Sequence, residues 1–263
     1  MSKSLCMTAV AVCLAVAGAA VARPTVDGAN VHLRIFNDAP GSNATSVNNY
    51  PTLISVSDTN VSQGNFANRH NFRLSSGGTD AAFANSDSFS YAADVTITGT
   101  AAIEGGLNIS PWWSQQVDGN FMLNADSGEI AVFGGRLPFY SFTGHEGVTY
   151  VRGQTARLGV SYDARGNNAG APGAIRYFLS INGNDYSSPW ILFDQGNPAE
   201  DPPHGLYGLL NDYMVGGYMQ IRIANGNPDN GGTVTWGNVS YVPTPGAAGV
   251  LALGGLVALR RRR

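Results

Sequence analysis

The chain has 263 residues, 43% hydrophobic and only 13% charged, with 34 Gly and 13 Pro; this mixture favours short strands joined by tight turns and excludes disorder throughout. The formal net charge of −3 conceals a division, because six of the 15 basic residues are terminal (Lys3, Arg23 and Arg260 to Arg263), leaving nine against 18 acids, or −9, between Asp27 and Asp229. A body this acidic, without a single Lys, argues against nucleic acid as a partner.

Residues 1–22 read as a secretory signal peptide. Lys3 supplies the positive start, Leu5 to Val21 carries no charge, and Ala20-Val21-Ala22 offers a small-x-small site for signal peptidase at Ala20 and Ala22. Cys6 and Cys13 are the only cysteines and leave with this segment. The mature chain therefore has no thiol, which excludes disulfides and Cys-ligated metal.

Residues 23–241 read as strands. Val31, Leu33 and Ile35 alternate with His32 and Arg34, Val95 and Ile97 with Thr96 and Thr98, and Met219, Ile221 and Ile223 with Gln220, Arg222 and Ala224. Period two is the mark of a strand with one buried face. Further strands are expected at Leu53 to Asp58, Leu107 to Ser110, Phe121 to Ala125, Ile130 to Phe133, Ala156 to Tyr162, Arg176 to Ile181, Trp190 to Phe193 and Thr233 to Tyr241. Asp118-Gly119-Asn120, Ser127-Gly128, Asn182-Gly183-Asn184 and Asn225 to Pro228 punctuate them as turns. Residues 37–50 and 194–205 read as the longest loops. The whole predicts one all-β domain of roughly 220 residues, an antiparallel β-sandwich closed by two sheets packed face to face. In strand number and length, and in its late alternating strands, the body resembles the concanavalin A-like jelly roll of legume lectins, laminin G modules and several glycosidases. An immunoglobulin-type sandwich is the alternative, but this length is large for one such domain and the Cys pair is missing.

Catalytic sets are poor in this body. Its four glutamates, Glu104, Glu129, Glu146 and Glu200, lie far apart in sequence, and only Glu200 has a carboxylate within two residues, at Asp201. Those two precede Pro202 and Pro203 and would face opposite ways if extended. The paired carboxylates of a retaining glycosidase are not offered by this spacing. His32, His70, His145 and His204 have no metal-ligand spacing, and there is no Gly-x-Ser-x-Gly elbow. Neither a catalytic residue nor a metal ligand is assigned, and no cofactor is expected. Two binding features stand out. Trp112 and Trp113 follow Pro111 at a strand end, where a sugar ring could stack on an indole while Gln115, Gln116 and Asp118 take its hydroxyls; Trp190 and Trp236 lie in apolar runs and read as core. The loop Asp194 to Asp201 gathers three carboxylates and two side-chain amides that could supply oxygens to Ca²⁺.

Residues 242–263 form a tail: Val242-Pro243-Thr244-Pro245, an uncharged run from Gly246 to Leu259, then Arg260, Arg261, Arg262 and Arg263. Fourteen residues make a helix of roughly 21 Å, shorter than the roughly 30 Å hydrocarbon core, so spanning needs arginine snorkelling and neighbouring residues. The order of proline motif, apolar run and arginine cluster resembles the PEP-CTERM sorting tail of exported bacterial proteins, with Thr244 where the usual motif has Glu. That resemblance implies an exosortase-type membrane transpeptidase as partner and transient anchoring, the body outside and the arginines inside. The expected function is thus a non-catalytic exported protein of the cell envelope or extracellular matrix. A carbohydrate-binding, lectin-like module that takes extracellular polysaccharide is the first alternative, and a divergent glycoside hydrolase the second.

Overall fold

The computed structural model describes residues 24–62, 64–111, 119–135, 137–193, 207–223 and 230–244. Its first sheet runs, edge to edge, through β1 (Gly28–Asn37), β4 (Ala67–Ser76), β15 (Tyr213–Arg222), β7 (Ile103–Pro111), β8 (Gly119–Asn124), β9 (Ile130–Phe133) and β10 (Tyr140–Ser141), with β5 (Thr79–Asp80) beside β4. The second runs through β13 (Asn184–Ser187), β12 (Ala174–Ile181), β11 (Thr155–Asp163), β6 (Phe89–Gly99), β16 (Gly232–Pro243), β3 (Leu53–Thr59) and β2 (Asn43–Asn49), with β14 (Ile191–Leu192) beside β12. Neighbouring strands pair antiparallel throughout. Among the described residues the one helix, α1 (Phe142–Glu146), is a single turn whose Gly144 N–H is capped by the Ser141 hydroxyl. This is the antiparallel sandwich that the alternating pattern predicts.

The core fills the space between the sheets. Val95, Ile97, Leu158, Tyr177 and Val234 face inward from the second sheet against Phe72, Leu107, Phe121, Met219 and Ile221 of the first. Trp236 sits at its centre, fully buried, with its ring edge-on to Phe72 at 5.1 Å. Its indole N–H crosses to the opposite sheet and donates to the Gly106 carbonyl at 2.9 Å. Room for the indole comes from glycine: a Cβ on Gly217 would lie 2.5 Å from Trp236 Nε1. Part of the chain's glycine is therefore inside strands, where it sets the sheet separation, as well as in turns such as the Asn182-Gly183 hairpin with both φ angles positive.

A buried polar cluster ties the sheets together at one end. Asp58 on β3 accepts from Asn68 at 2.7 Å and pairs with His70 at 3.1 Å, both on β4. The Arg34 backbone N–H donates to His70 Nδ1 at 3.0 Å, so the proton sits on Nε2 and is donated to the carboxylate. Burial pushes the Asp58 carboxyl upward, and the hydrogen bonds from His70, Asn68 and Ser42 overcome this and hold it below its ordinary value.

Several expectations are corrected. Residues 37–50 are not one loop: Asn43–Asn49 forms β2, exposed on nearly every residue at the edge of its sheet, so no apolar alternation marks it. Ala67–Ser76 is a central strand although it offers polar residues to both faces. In β1 the register breaks between His32 and Phe36, with Arg34 at φ 57°, and Leu33 turns outward rather than joining a buried face. Gly119 and Asn120 lie within β8 instead of a turn. Trp190 is 45% exposed, against the core position expected for it, while Trp236 is core as expected. Val242 and Pro243 continue β16, and the Thr244 N–H donates to the Ser88 carbonyl at 2.8 Å. Ala20, Ala22, Trp112, Trp113, the 194–201 loop, Pro245 and Arg260 to Arg263 lie outside the described residues. Among the described residues, no helix is long and apolar enough to cross a membrane.

Candidate functional site

The outward face of the first sheet carries the richest chemistry. Alternation along β4 sends Phe72 and Leu74 into the core and Arg69, Asn71 and Arg73 outward. On β15, Met219 and Ile221 go inward, leaving Tyr218 and Gln220 outward. Register then assembles rows across strands. Asn71 pairs with Tyr218, and Arg69 with Gln220, which in turn opposes Glu104 on β7. Asn108 opposes Asn120 on the next pair, one row away.

These side chains interlock over the sheet. The Arg69 guanidinium lies over the Tyr218 ring at 4.3 Å and donates to Asn120 Oδ1 at 2.7 Å and Gln220 Oε1 at 3.3 Å. Asn108 donates to the same Asn120 oxygen at 3.1 Å. The Tyr218 hydroxyl donates to Glu104 at 3.4 Å. Burial raises the Glu104 carboxyl above its ordinary value, against the lowering effect of Arg69, Arg222 and the Tyr218 hydroxyl.

Asn71 differs from its neighbours. It is 1% exposed, and neither its amide oxygen nor its amide nitrogen has a hydrogen-bond partner. Leaving a buried amide unmet costs about 1–3 kcal/mol, and such a group in a native fold calls for an explanation. Its position beside Arg69, Tyr218 and Gln220 provides one: an unused donor and acceptor within a polar floor.

Beside the polar half of this face lies an apolar one. Tyr218, Met122 and Ala131 are buried on the outward side together with half-buried Phe133, as a small cluster separate from the main core. A polyhydroxylated ring has the same division, with hydroxyls around its edge and C–H groups on its faces. At one rim, Asp80 holds Arg73 at 3.1 Å, His32 at 3.0 Å and Asn30 at 2.8 Å. Desolvation pushes the Asp80 carboxyl up, but Asn30, His32 and Arg73 bring it below its ordinary value.

None of the seven floor residues, Arg69, Asn71, Glu104, Asn108, Asn120, Tyr218 and Gln220, stands out in sequence as a site. The available signal was the pair of polar alternations, Arg69-x-Asn71-x-Arg73 and Tyr218-x-Gln220-x-Arg222, which read equally as solvated faces. Trp112 and Trp113, the binding residues expected from the sequence, lie outside the described residues. His70, which has no metal-ligand spacing in sequence, is fully buried against Asp58. Glu104 and Glu129, remote in sequence, are close enough for Glu129 to raise the Glu104 carboxyl. No group of three or more His, Cys, Asp and Glu among the described residues could hold a metal ion.

No family model matches the chain, and no curated protein does. Among solved structures it is similar to arcelin-5, a lectin-like defense protein from Phaseolus vulgaris, with 11% identity and a TM-score of 0.43 over 84% of this chain and 95% of that one. It is also similar to the alginate lyase A1-II', a member of polysaccharide lyase family 7, with 7% identity and a TM-score of 0.38 over 73% and 80% of the two chains. The carbohydrate recognition domain of Emp47p matches with 10% identity and a TM-score of 0.37 over 82% and 90%. At such identities and scores no residue role transfers from these proteins.

Proposed function

We propose that the protein is an exported, non-catalytic β-sandwich of the cell envelope or matrix that binds polysaccharide on the outward face of its first sheet. The observation that carries this reading is Asn71, a buried amide with both hydrogen-bonding groups unmet, set among Arg69, Tyr218 and Gln220. Both amide atoms are sealed from solvent, so a sugar hydroxyl that accepts from the amide N–H and donates to its oxygen reaches them when the side chains around Asn71 move aside. Half-buried Phe133, backed by buried Met122 and Ala131, supplies an apolar edge for the C–H side of a ring. The floor holds one carboxylate, Glu104, among amides and one guanidinium, a composition suited to binding rather than to paired-carboxylate hydrolysis.

Export rests on the signal-like residues 1–22, and retention at the envelope on the tail from Val242 to Arg263 with an exosortase-type transpeptidase as its partner. The binding reading is tested by affinity electrophoresis and calorimetry against polygalacturonate, alginate, xylan and dextran. Wild-type protein is expected to bind at least one of them, with affinity falling about tenfold or more in Asn71→Ala and Arg69→Met. Equal affinity in wild type and both variants would rule this face out.

A further inference from the structure

The outward face of the second sheet carries a groove of different character. Two adjoining cavities, of about 440 Å³ and about 330 Å³, share Ser90 and Ser161 and so form one channel across β16, β6, β11 and β12. Each is in the size range of small-ligand sites. Its floor is low because the residues there are short. Ser90 opposes Ser161, and Ala92 opposes Gly159. A Cβ on Gly159 would already touch Phe178 Cβ at 3.4 Å and Ala92 Cβ at 3.5 Å.

Aromatic side chains stand along this floor. Trp190 lines the smaller cavity and is 45% exposed, an unusual state for the largest apolar side chain. Half-buried Phe178 and Tyr186 line the larger one. Two of the charges that line it are matched: Arg157 bonds Asp94 at 2.7 Å, and Asp163 holds Arg165 at 3.5 Å. The groove thus offers hydroxyls and aromatic faces with little net field, and exposed Asp185 on its wall opposes an anionic ligand.

We infer that this groove is a second saccharide site, on the side of the sandwich opposite the Asn71 face, which takes a neutral oligosaccharide stacked on Trp190. The inference does not depend on the function proposed for the first sheet, since no floor residue is shared. Two sites on opposite sides would let one protein bridge two chains of a matrix.

The full chain is titrated with cellohexaose, laminarihexaose and xylohexaose, and binding is read by calorimetry and by chemical-shift changes of the Trp190 indole N–H. At least one hexasaccharide should bind and shift that signal. Trp190→Ala removes the aromatic platform and should weaken affinity about tenfold or more. Gly159→Thr, which narrows the floor at a position with ordinary strand backbone, should weaken it similarly, whereas Ser57→Ala, on the same sheet but outside the groove, should leave it unchanged. The inference is overturned if none of the three binds wild type, or if both groove variants bind as wild type does. Loss through Asn71→Ala instead would assign all binding to the first sheet. Binding that emerges only after residues 246–263 are removed would make the groove a seat for the protein's own tail, since Thr244, two residues before that segment, lines the smaller cavity, and would equally overturn it.

Discussion

The two outward faces of the sandwich are built by the same alternation yet end in opposite states. On the second sheet, short hydroxyl side chains answer one another across strands: Ser57 with Thr233 at 2.7 Å, Ser90 with Ser161 at 2.8 Å and Thr96 with Thr155 at 2.7 Å. Each pair is satisfied locally, and the floor stays low. On the first sheet, Arg69 reaches across Tyr218 to Asn120 on a strand three places away, while Asn71 beneath is left with nothing. One face thus leaves a low floor between pairs that satisfy each other, whereas the other gathers long side chains around an unmet amide.

Three experiments test how deep this difference runs, and the largest effect is expected from a matched pair of glycines. At Gly106, on the first sheet, a Cβ would overlap the Phe121 carbonyl oxygen, and the Gly106 carbonyl also receives the Trp236 indole. Gly106→Ala should therefore cost about 2–3 kcal/mol in urea unfolding, while Gly159→Ala on the second sheet should stay within about 0.5 kcal/mol of wild type. Similar values for the two would remove the contrast between the sheets' packing. Next comes Asn71→Leu, which replaces the unmet amide by an apolar group of comparable size. It should raise unfolding stability by about 1 kcal/mol while abolishing polysaccharide binding. A destabilised Leu variant would mean that the amide is structural.

The smallest effect is electrostatic. Because the folded Glu104 carboxyl is raised above its unfolded value, the folded protein retains a proton that the unfolded chain has already released over the interval between them. Stability attributable to this group therefore falls as pH rises from about the unfolded value through the folded one. Glu104→Gln cannot ionise, so its unfolding free energy should lose that decline and exceed the wild-type value at pH 7. Parallel curves for wild type and variant between pH 4 and 8 would place Glu104 in an unperturbed setting.

Fold class could be read from the chain because most strands bury one face cleanly: Val95 and Ile97 in β6 and Met219 and Ile221 in β15 are all fully buried, as their spacing implies. Strands failed to announce themselves where that asymmetry is lost. β2 is exposed at an edge, and β4 directs Asn68 and His70 inward as well as Arg69 and Asn71 outward, because the Asp58 cluster makes polar side chains acceptable in the interior. Trp190 reads as core from the apolar residues after it, but it stands just before the two-residue β14 and is exposed. The candidate site was hidden for a different reason. Arg69 and Gln220 are separated by 151 positions, and local spacing carries no record of which polar alternation will pair with which.

The place of β15 and β16 in their sheets bears on how the protein comes into being. β15 lies between β4 and β7, and β16 between β3 and β6. Until these last two strands exist, each sheet is two unconnected parts, with β1 and β4 separate from β7 to β10 and β2 and β3 separate from β6 and β11 to β13. Assembly therefore cannot proceed from the N-terminus as the chain is made. It waits for residues 213–243 and then joins both sheets through contacts that are distant in sequence, which makes folding slow and late. A nascent chain with this topology completes neither sheet until residues 213–243 have been made.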